Sequence, residues 1–203
     1  MAYATIIRGD TRQSYIALAT DGSSFFIPRS LLKSFFLKER QQLSETEFLA
    51  LQQKVSYRLT LDKALSLISR RDHGEKELTL KLIQKGFDKT ISMNVVDELV
   101  SKHIVDNVKF AYQLIVSRQR KNPEGIPLLK MRLKSKMLSS SDINKAMDQY
   151  LKDDTYYDDI LKAIEKLKRK NTAQDTLLPS MIKKGFPKRD VIEVLSDIEK
   201  ENR

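Results

Sequence analysis

Arg71-Asp72-His73-Gly74-Glu75-Lys76-Glu77-Leu78, running on to Leu82-Ile83-Gln84-Lys85-Gly86-Phe87, is the stretch that decides the fold. Its ending recurs as Leu178-Pro179-Ser180-Met181-Ile182-Lys183-Lys184-Gly185-Phe186. Between the two lies a degenerate copy, Leu129-Lys130-Met131-Arg132-Leu133-Lys134-Ser135-Lys136-Met137-Leu138. The anchors Phe87, Leu138 and Phe186 stand 51 and 48 residues apart. Tandem repetition at roughly 50 residues is a solenoid-like signature, in which each unit packs on its neighbours. The spacing predicts an elongated array of three units.

Around these anchors the apolar residues fall at helical spacing. In the first unit, Leu61, Ala64, Leu65 and Ile68 share one face. Gly74 stands at the N-cap of the next helix, with Glu77 three residues on and Leu78 and Leu82 turned inward. Gly86 falls where that helix stops and supplies the left-handed conformation without a Cβ clash. Val96, Leu99, Val100 and His103 form a third stripe. The second unit opens on Asp106 as N-cap, followed by Val108, Ala111 and Ile115. Gly125 breaks the chain, and Pro127 suits a first helical position, where its missing amide costs nothing. Leu129 and Leu133 follow, and Ser141 caps a helix carrying Ile143, Ala146, Met147 and Tyr150. The third unit carries Ile160, Ala163, Ile164 and Leu167, then Leu178, Met181 and Ile182, then Val191, Val194, Leu195 and Ile198. Each unit is thus three amphipathic helices. Met137 takes the glycine's place in the second unit, which predicts a different or strained turn there.

Upstream the pattern changes. Tyr3–Ile7, Ser14–Leu18 and Ser24–Ile27 are rich in β-branched and aromatic residues, and Asp21-Gly22 is a hairpin turn signal. Pro28 closes the run, and residues 29–37 suit a short helix. Ser44-Glu45-Thr46-Glu47 is a capping box that opens a helix through about Tyr57. The reading is therefore a mainly α fold. Residues 1–58 form strands and leading helices, and the three-helix units occupy 59–105, 106–152 and 153–203.

Composition narrows the function classes. Of the 203 residues, Lys and Arg number 37 against 27 Asp and Glu, a net charge of +10 that favours a polyanionic partner. With no cysteine, disulfides and thiolate metal sites are excluded. No signal-peptide run or membrane-length apolar window is present, so the chain reads as soluble and cytoplasmic. A monomer is expected. The six glycines are scattered singly, which excludes a phosphate-cradling loop. His73 and His103 are read as a solvent-side residue before a helix and a residue flanking a helix end. Asp153-Asp154 and Asp158-Asp159 are the acidic clusters that a divalent metal could use, but Asp153-Asp154 is read as lying in the linker before the seventh helix, where carboxylates favour its dipole, and no metal site is expected. Tyr156 and Tyr157 are read as packing residues. No catalytic site, metal or cofactor is expected.

The chemistry-bearing feature is a basic cluster in the second unit. Arg118, Arg120, Lys121, Lys130, Arg132, Lys134 and Lys136 stand against Glu124 alone. A merely solvated helix would alternate opposite charges at i, i+4, so this imbalance points to anion or partner binding. Lys166, Lys168, Arg169 and Lys170 extend the charge into the third unit.

The run from Arg71 to Leu78, with Lys85-Gly86-Phe87, resembles the first repeat of the RecX family, bacterial regulators of the RecA recombinase. Ile104-Val105-Asp106-Asn107-Val108-Lys109-Phe110-Ala111, with Arg118 and Gly125 beyond, is similar to the family's second repeat. The resemblance runs from about Leu61 to the C-terminus and extends weakly through Gln42 to Phe48. Gly74 stands where the family usually has a capping serine, Asn107 replaces the second aspartate of a pair, Gly125-Ile126-Pro127 replaces Gly-Pro, and Arg132 stands where glutamate is common. The resemblance implies an array of three-helix repeats that lies in the groove of the RecA filament. It implies restraint of ATP hydrolysis, strand exchange and SOS co-protease activity, with no active site of its own. The alternative is a sequence-neutral DNA-binding protein whose helices track the phosphate backbone directly.

Overall fold

A computed structural model of the chain describes residues 2–10, 14–153, 155–169 and 173–201. Asp154 and Lys170 lie outside them. The chain divides into two compact units, Met1–Ser69 with Lys81–Val95, and Arg70–Leu80 with Val96–Arg203. No helix among the described residues is long and apolar enough to cross a membrane.

The first unit is built on an antiparallel sheet. Strands β1 (Ala4–Arg8), β2 (Ser14–Ala19), β3 (Ser24–Pro28) and β4 (Gln42–Leu43) lie in the order β3-β2-β1-β4. The period of two sorts the side chains. Ile6 pairs with Ala17 and Tyr15 with Ile27, and all four are buried on one face. That face is closed by Leu31 and Leu32 of α1 (Arg29–Ser34) and by Phe48, Leu51 and Val55 of α2 (Glu45–Ile68). The fourth strand is an addition to the three expected, because two residues are too few to show alternation.

Helix α2 spans Glu45–Ile68. Its capping box forms as expected: the Ser44 N–H donates to Glu47 Oε2 at 2.8 Å, and Ser44 Oγ accepts from the Glu47 N–H at 3.3 Å. The expected end near Tyr57 is absent. No glycine or proline occurs between residues 45 and 73, so nothing stops the helix. The first repeat's opening helix is therefore the second half of α2. Its buried residues there are Thr60 and Ala64, and Leu65 is exposed.

Helices α3 (Glu75–Gln84) and α4 (Lys89–Ser101) follow. Leu78, Leu82, Val95, Val96 and Leu99 are buried. His103 does not continue the stripe. It is exposed at φ 54°, ending α4 as a left-handed residue while the Ile104 N–H donates to Leu99 O. His73 also departs from its reading. It is 4% exposed, with Nδ1 3.2 Å from Glu77 Oε2. Arg71 Nη2 donates to the other oxygen of Glu77 at 2.6 Å. Burial alone would raise the Glu77 pKa, but hydrogen bonds from Arg71 and His73 outweigh it and hold the carboxyl near 2.

The second repeat is α5 (Asn107–Lys121), α6 (Ile126–Ser135) and α7 (Ser140–Lys152), packed around Phe110, Ile115, Leu129, Leu133, Ile143 and Tyr150. Asp106 caps α5 through the amides of Val108 and Lys109. The cap of α7 is Ser139, which accepts from the Asp142 N–H at 3.0 Å, and not Ser141. The third repeat is α8 (Tyr156–Lys168), α9 (Gln174–Lys183) and α10 (Lys188–Glu201), packed around Ile160, Ile164, Leu177, Met181, Phe186 and Val191. Leu177 is buried in this core, Leu178 packs against it half-buried, and Ile182 is exposed.

The repeated turns share one geometry. Gly86 and Gly185 hold φ of 87° and 82°. The amides of Phe87 and Phe186 reach back to Leu82 O and Met181 O, both at 3.2 Å. Met137 holds φ 61°. The second-repeat turn is therefore left-handed like the others, and a side chain bears the strain.

Candidate partner-binding face

The basic residues of the second repeat sit on the last turns of α5, the loop that follows, and α6. One acid organises them. Glu124 is 4% exposed at the base of the loop. Its backbone is held by Gln119, whose Oε1 accepts from the Glu124 N–H at 2.9 Å and whose Nε2 donates to Glu124 O at 3.1 Å. The carboxylate receives the guanidinium of Arg118 from α5 and that of Arg132 from α6, the latter through both Nε and Nη2. Burial by itself would raise the Glu124 pKa. The hydrogen bonds from Arg132 and Arg118 reverse the sign and hold it near 2. The same Gln119 Nε2 donates to the Tyr150 hydroxyl at 2.8 Å, and that hydroxyl donates to buried Asp159 at 2.6 Å. Burial, then the bond to Asp159, pushes the Tyr150 hydroxyl far above its ordinary pKa.

Around this clamp α5 and α6 enclose an open pocket of about 260 Å³. Its floor is apolar, made by Leu114, Ile115, Leu129 and Leu133, and its polar rim includes Arg118, Lys121, Arg132 and Lys136. Four of the seven basic residues singled out in the sequence thus meet at one pocket. Arg120 and Lys134 are exposed but do not line it. Lys130 turns to α7 and donates to Asn144 Oδ1 at 3.2 Å. Among the described residues, Arg120, Lys121, Lys134 and Lys136 have no acidic side chain within ion-pair distance.

The third repeat backs this loop. Lys166 Nζ donates to Lys121 O at 2.7 Å, and Lys184 Nζ to Asn122 Oδ1 at 3.1 Å. The Gly125 N–H donates to Lys184 O at 2.9 Å. A Cβ at Gly125 would stand 1.7 Å from Gly185 O, so only glycine permits this approach. Gln119, Asn122 and Lys184 were not legible as site-building residues. The signal that was available is Glu124, the lone acid in a basic run.

The remaining candidates are structural. No group of three or more possible metal-ligating side chains occurs among the described residues. Asp153 closes α7 and accepts from the Tyr112 hydroxyl. Tyr156 packs between Tyr150 and Phe186, with ring centroids 6.5 and 6.3 Å away. Burial pushes its hydroxyl up to about 12. Tyr157 is 40% exposed and reaches Asp197 at 3.4 Å.

Residues 61–99 match the model of the RecX first three-helix domain. The chain is 44% identical over 62 residues to a regulatory protein RecX of Chlorobium limicola, covering 30% of this chain and 39% of the relative. It is 30% identical over 131 residues to a regulatory protein RecX of Clostridioides difficile, covering 64% of this chain and 61% of the relative. The matched stretches thus span about two fifths and three fifths of these curated relatives' lengths. The crystal structure of a regulatory protein RecX shares the fold at a TM-score of 0.69 and 17% identity, over 97% of this chain and 100% of that one. Residues 61–99 thus match the RecX first three-helix domain, and over the stretches compared the chain is similar to regulatory proteins RecX.

Proposed function

We propose that this chain regulates a RecA-type recombinase by binding its nucleoprotein filament in the groove. Binding restrains ATP hydrolysis, strand exchange and co-protease activity. The α5–α6 face is the contact. The observation that carries this reading is the distribution of charge there. The one acid, Glu124, is drawn inside and neutralised by Arg118 and Arg132, which leaves Arg120, Lys121, Lys134 and Lys136 exposed and without counter-charges among the described residues. Such a face is repelled by itself and attracted to an anionic assembly.

The test uses the double variant Lys121→Glu, Lys136→Glu. Recombinase is assembled on single-stranded DNA, and ATP hydrolysis is followed across a salt series. The expected outcome is at least about tenfold weaker inhibition with an unchanged melting temperature. Unchanged inhibition would move the contact elsewhere. The exposed cations also permit a second reading, direct binding to the phosphate backbone. In that case the chain would hold DNA at physiological salt without recombinase, and each lost phosphate contact would lower the salt slope by about one unit.

A further inference from the structure

A phosphate track and a protein contact need different surfaces. A DNA backbone is met by cations projecting from a convex or grooved surface, and it has no bulky apolar group to bury. The α5–α6 face instead sets a concave apolar floor inside its ring of cations. Leu129 and Leu133 are each 2% exposed and Ile115 1%, yet all three line the pocket. Its volume of about 260 Å³ exceeds the roughly 150 Å³ that accommodates a benzene ring. Lys121 and Lys136 stand at its edge without acidic partners among the described residues. Arg118 and Arg132 are fixed by Glu124, so the walls are held before any ligand arrives.

We propose that this pocket receives one bulky apolar side chain, phenylalanine or leucine in size, from an acidic protein segment whose carboxylates pair with Lys121 and Lys136. The assignment rests on the reading of the α5–α6 face as the partner contact and specifies what that face grips. The anchor supplies buried apolar area at the centre, and the charges sit at the rim, where they speed encounter and orient the segment.

The experiment titrates the full chain with three probes while the methyl resonances of Ile115, Leu129 and Leu133 are followed by NMR. One probe is a blocked pentapeptide with phenylalanine at the centre of four acidic residues. The second is the same peptide with alanine at the centre, and the third is a single-stranded thymidine oligonucleotide. The phenylalanine peptide is expected to shift the pocket methyls and to bind about tenfold or more tightly than the alanine peptide. Ser117→Trp, which fills the pocket from its α5 side, is expected to abolish the difference between the two peptides. Equal binding of both peptides to the parent chain would overturn the proposal. So would an oligonucleotide that shifts the same methyls as strongly, since the pocket would then serve nucleic acid. If the peptides fail while the chain still inhibits the recombinase, the regulatory reading stands and this pocket assignment alone falls.

Discussion

Glu124 and Glu77 are the two carboxylates whose ionisation the fold depends on most. Glu124 is buried and Glu77 half-buried against positively charged or hydrogen-bonding partners, and each has a pKa near 2 against an ordinary 4.5. Because both values lie below those of the unfolded chain, their stabilisation is present in full above about pH 5 and drains away as pH falls towards 2. A melting series between pH 7 and 2.5 should show the temperature falling mainly below about pH 4.5. Glu124→Gln should flatten that fall and cost about 1–2 kcal/mol at neutral pH, because it weakens the charge-assisted hydrogen bonds to Arg118 and Arg132, which solvent can partly replace. A variant as stable as the parent would mean the clamp is idle. Single residues also mark where sequence reading stopped. His73 looked like a solvent residue because it precedes a helix and is polar. Its burial depends on Glu77, which takes Nδ1 and Arg71 together, and no periodicity encodes that arrangement. Gly74 and Asn107 looked like two separate departures from the family pattern. In the structure they meet: Asn107 Oδ1 accepts from the Glu75 N–H at 3.0 Å and supplies the α3 cap that glycine lacks. Asn107→Ala should therefore cost about 1 kcal/mol. Gly74→Ser should not restore the loss fully, since its Cβ would press within 3.2 Å of the Phe110 ring.

At the scale of elements, the turns that close the second helix of each repeat are one device in three chemical states. At Gly86 a Cβ would meet nothing within 4 Å, so Gly86→Val should cost only the left-handed backbone penalty, roughly 1–2 kcal/mol. At Gly185 the same Cβ would also stand 2.9 Å from Leu128 Cγ. Gly185→Val should therefore cost more than Gly86→Val, and equal melting of the two variants would refute the Leu128 contact. Met137 already bears the penalty with a partly exposed side chain. Met137→Gly should raise stability by up to about 1 kcal/mol by chemical denaturation. The sequence showed these turns because Lys-Gly-Phe is a local signal. It also showed the stripes of α5 to α8, where the apolar period is regular. It hid the length of α2, because a capping box marks where a helix begins and nothing in residues 45–68 marks an end. It misplaced the α7 cap by two residues, since Ser139, Ser140 and Ser141 are locally indistinguishable.

At the scale of the whole molecule, fold class was legible and function was legible only through charge. The mainly helical body after a small sheet follows from a change in hydrophobic period, from two to about 3.6, near Ser44. The basic run was visible, but its division of labour was not. Arg118 and Arg132 are committed to Glu124, Lys130 to Asn144, and the residues left over are Arg120, Lys121, Lys134 and Lys136. That sorting requires knowing which carboxylate is buried. It also selects the variants for binding studies. Reversing Arg118 would bring a second acid against Glu124 and unfold the loop, whereas Lys121 and Lys136 report on the partner alone.

The contact between Gly125 and the Lys184–Gly185 turn carries an evolutionary corollary. A bare α-carbon at position 125 is demanded by a backbone sixty residues away, so the two repeats are not free to drift separately. Relatives that lack the third repeat, or that rebuild its turn, are released from the demand and should accept alanine or serine at the position of Gly125. Relatives that keep the turn should hold glycine there through otherwise extensive divergence. Gly125→Ala in this chain should lower the melting temperature. The same substitution in a natural two-repeat relative should cost nothing.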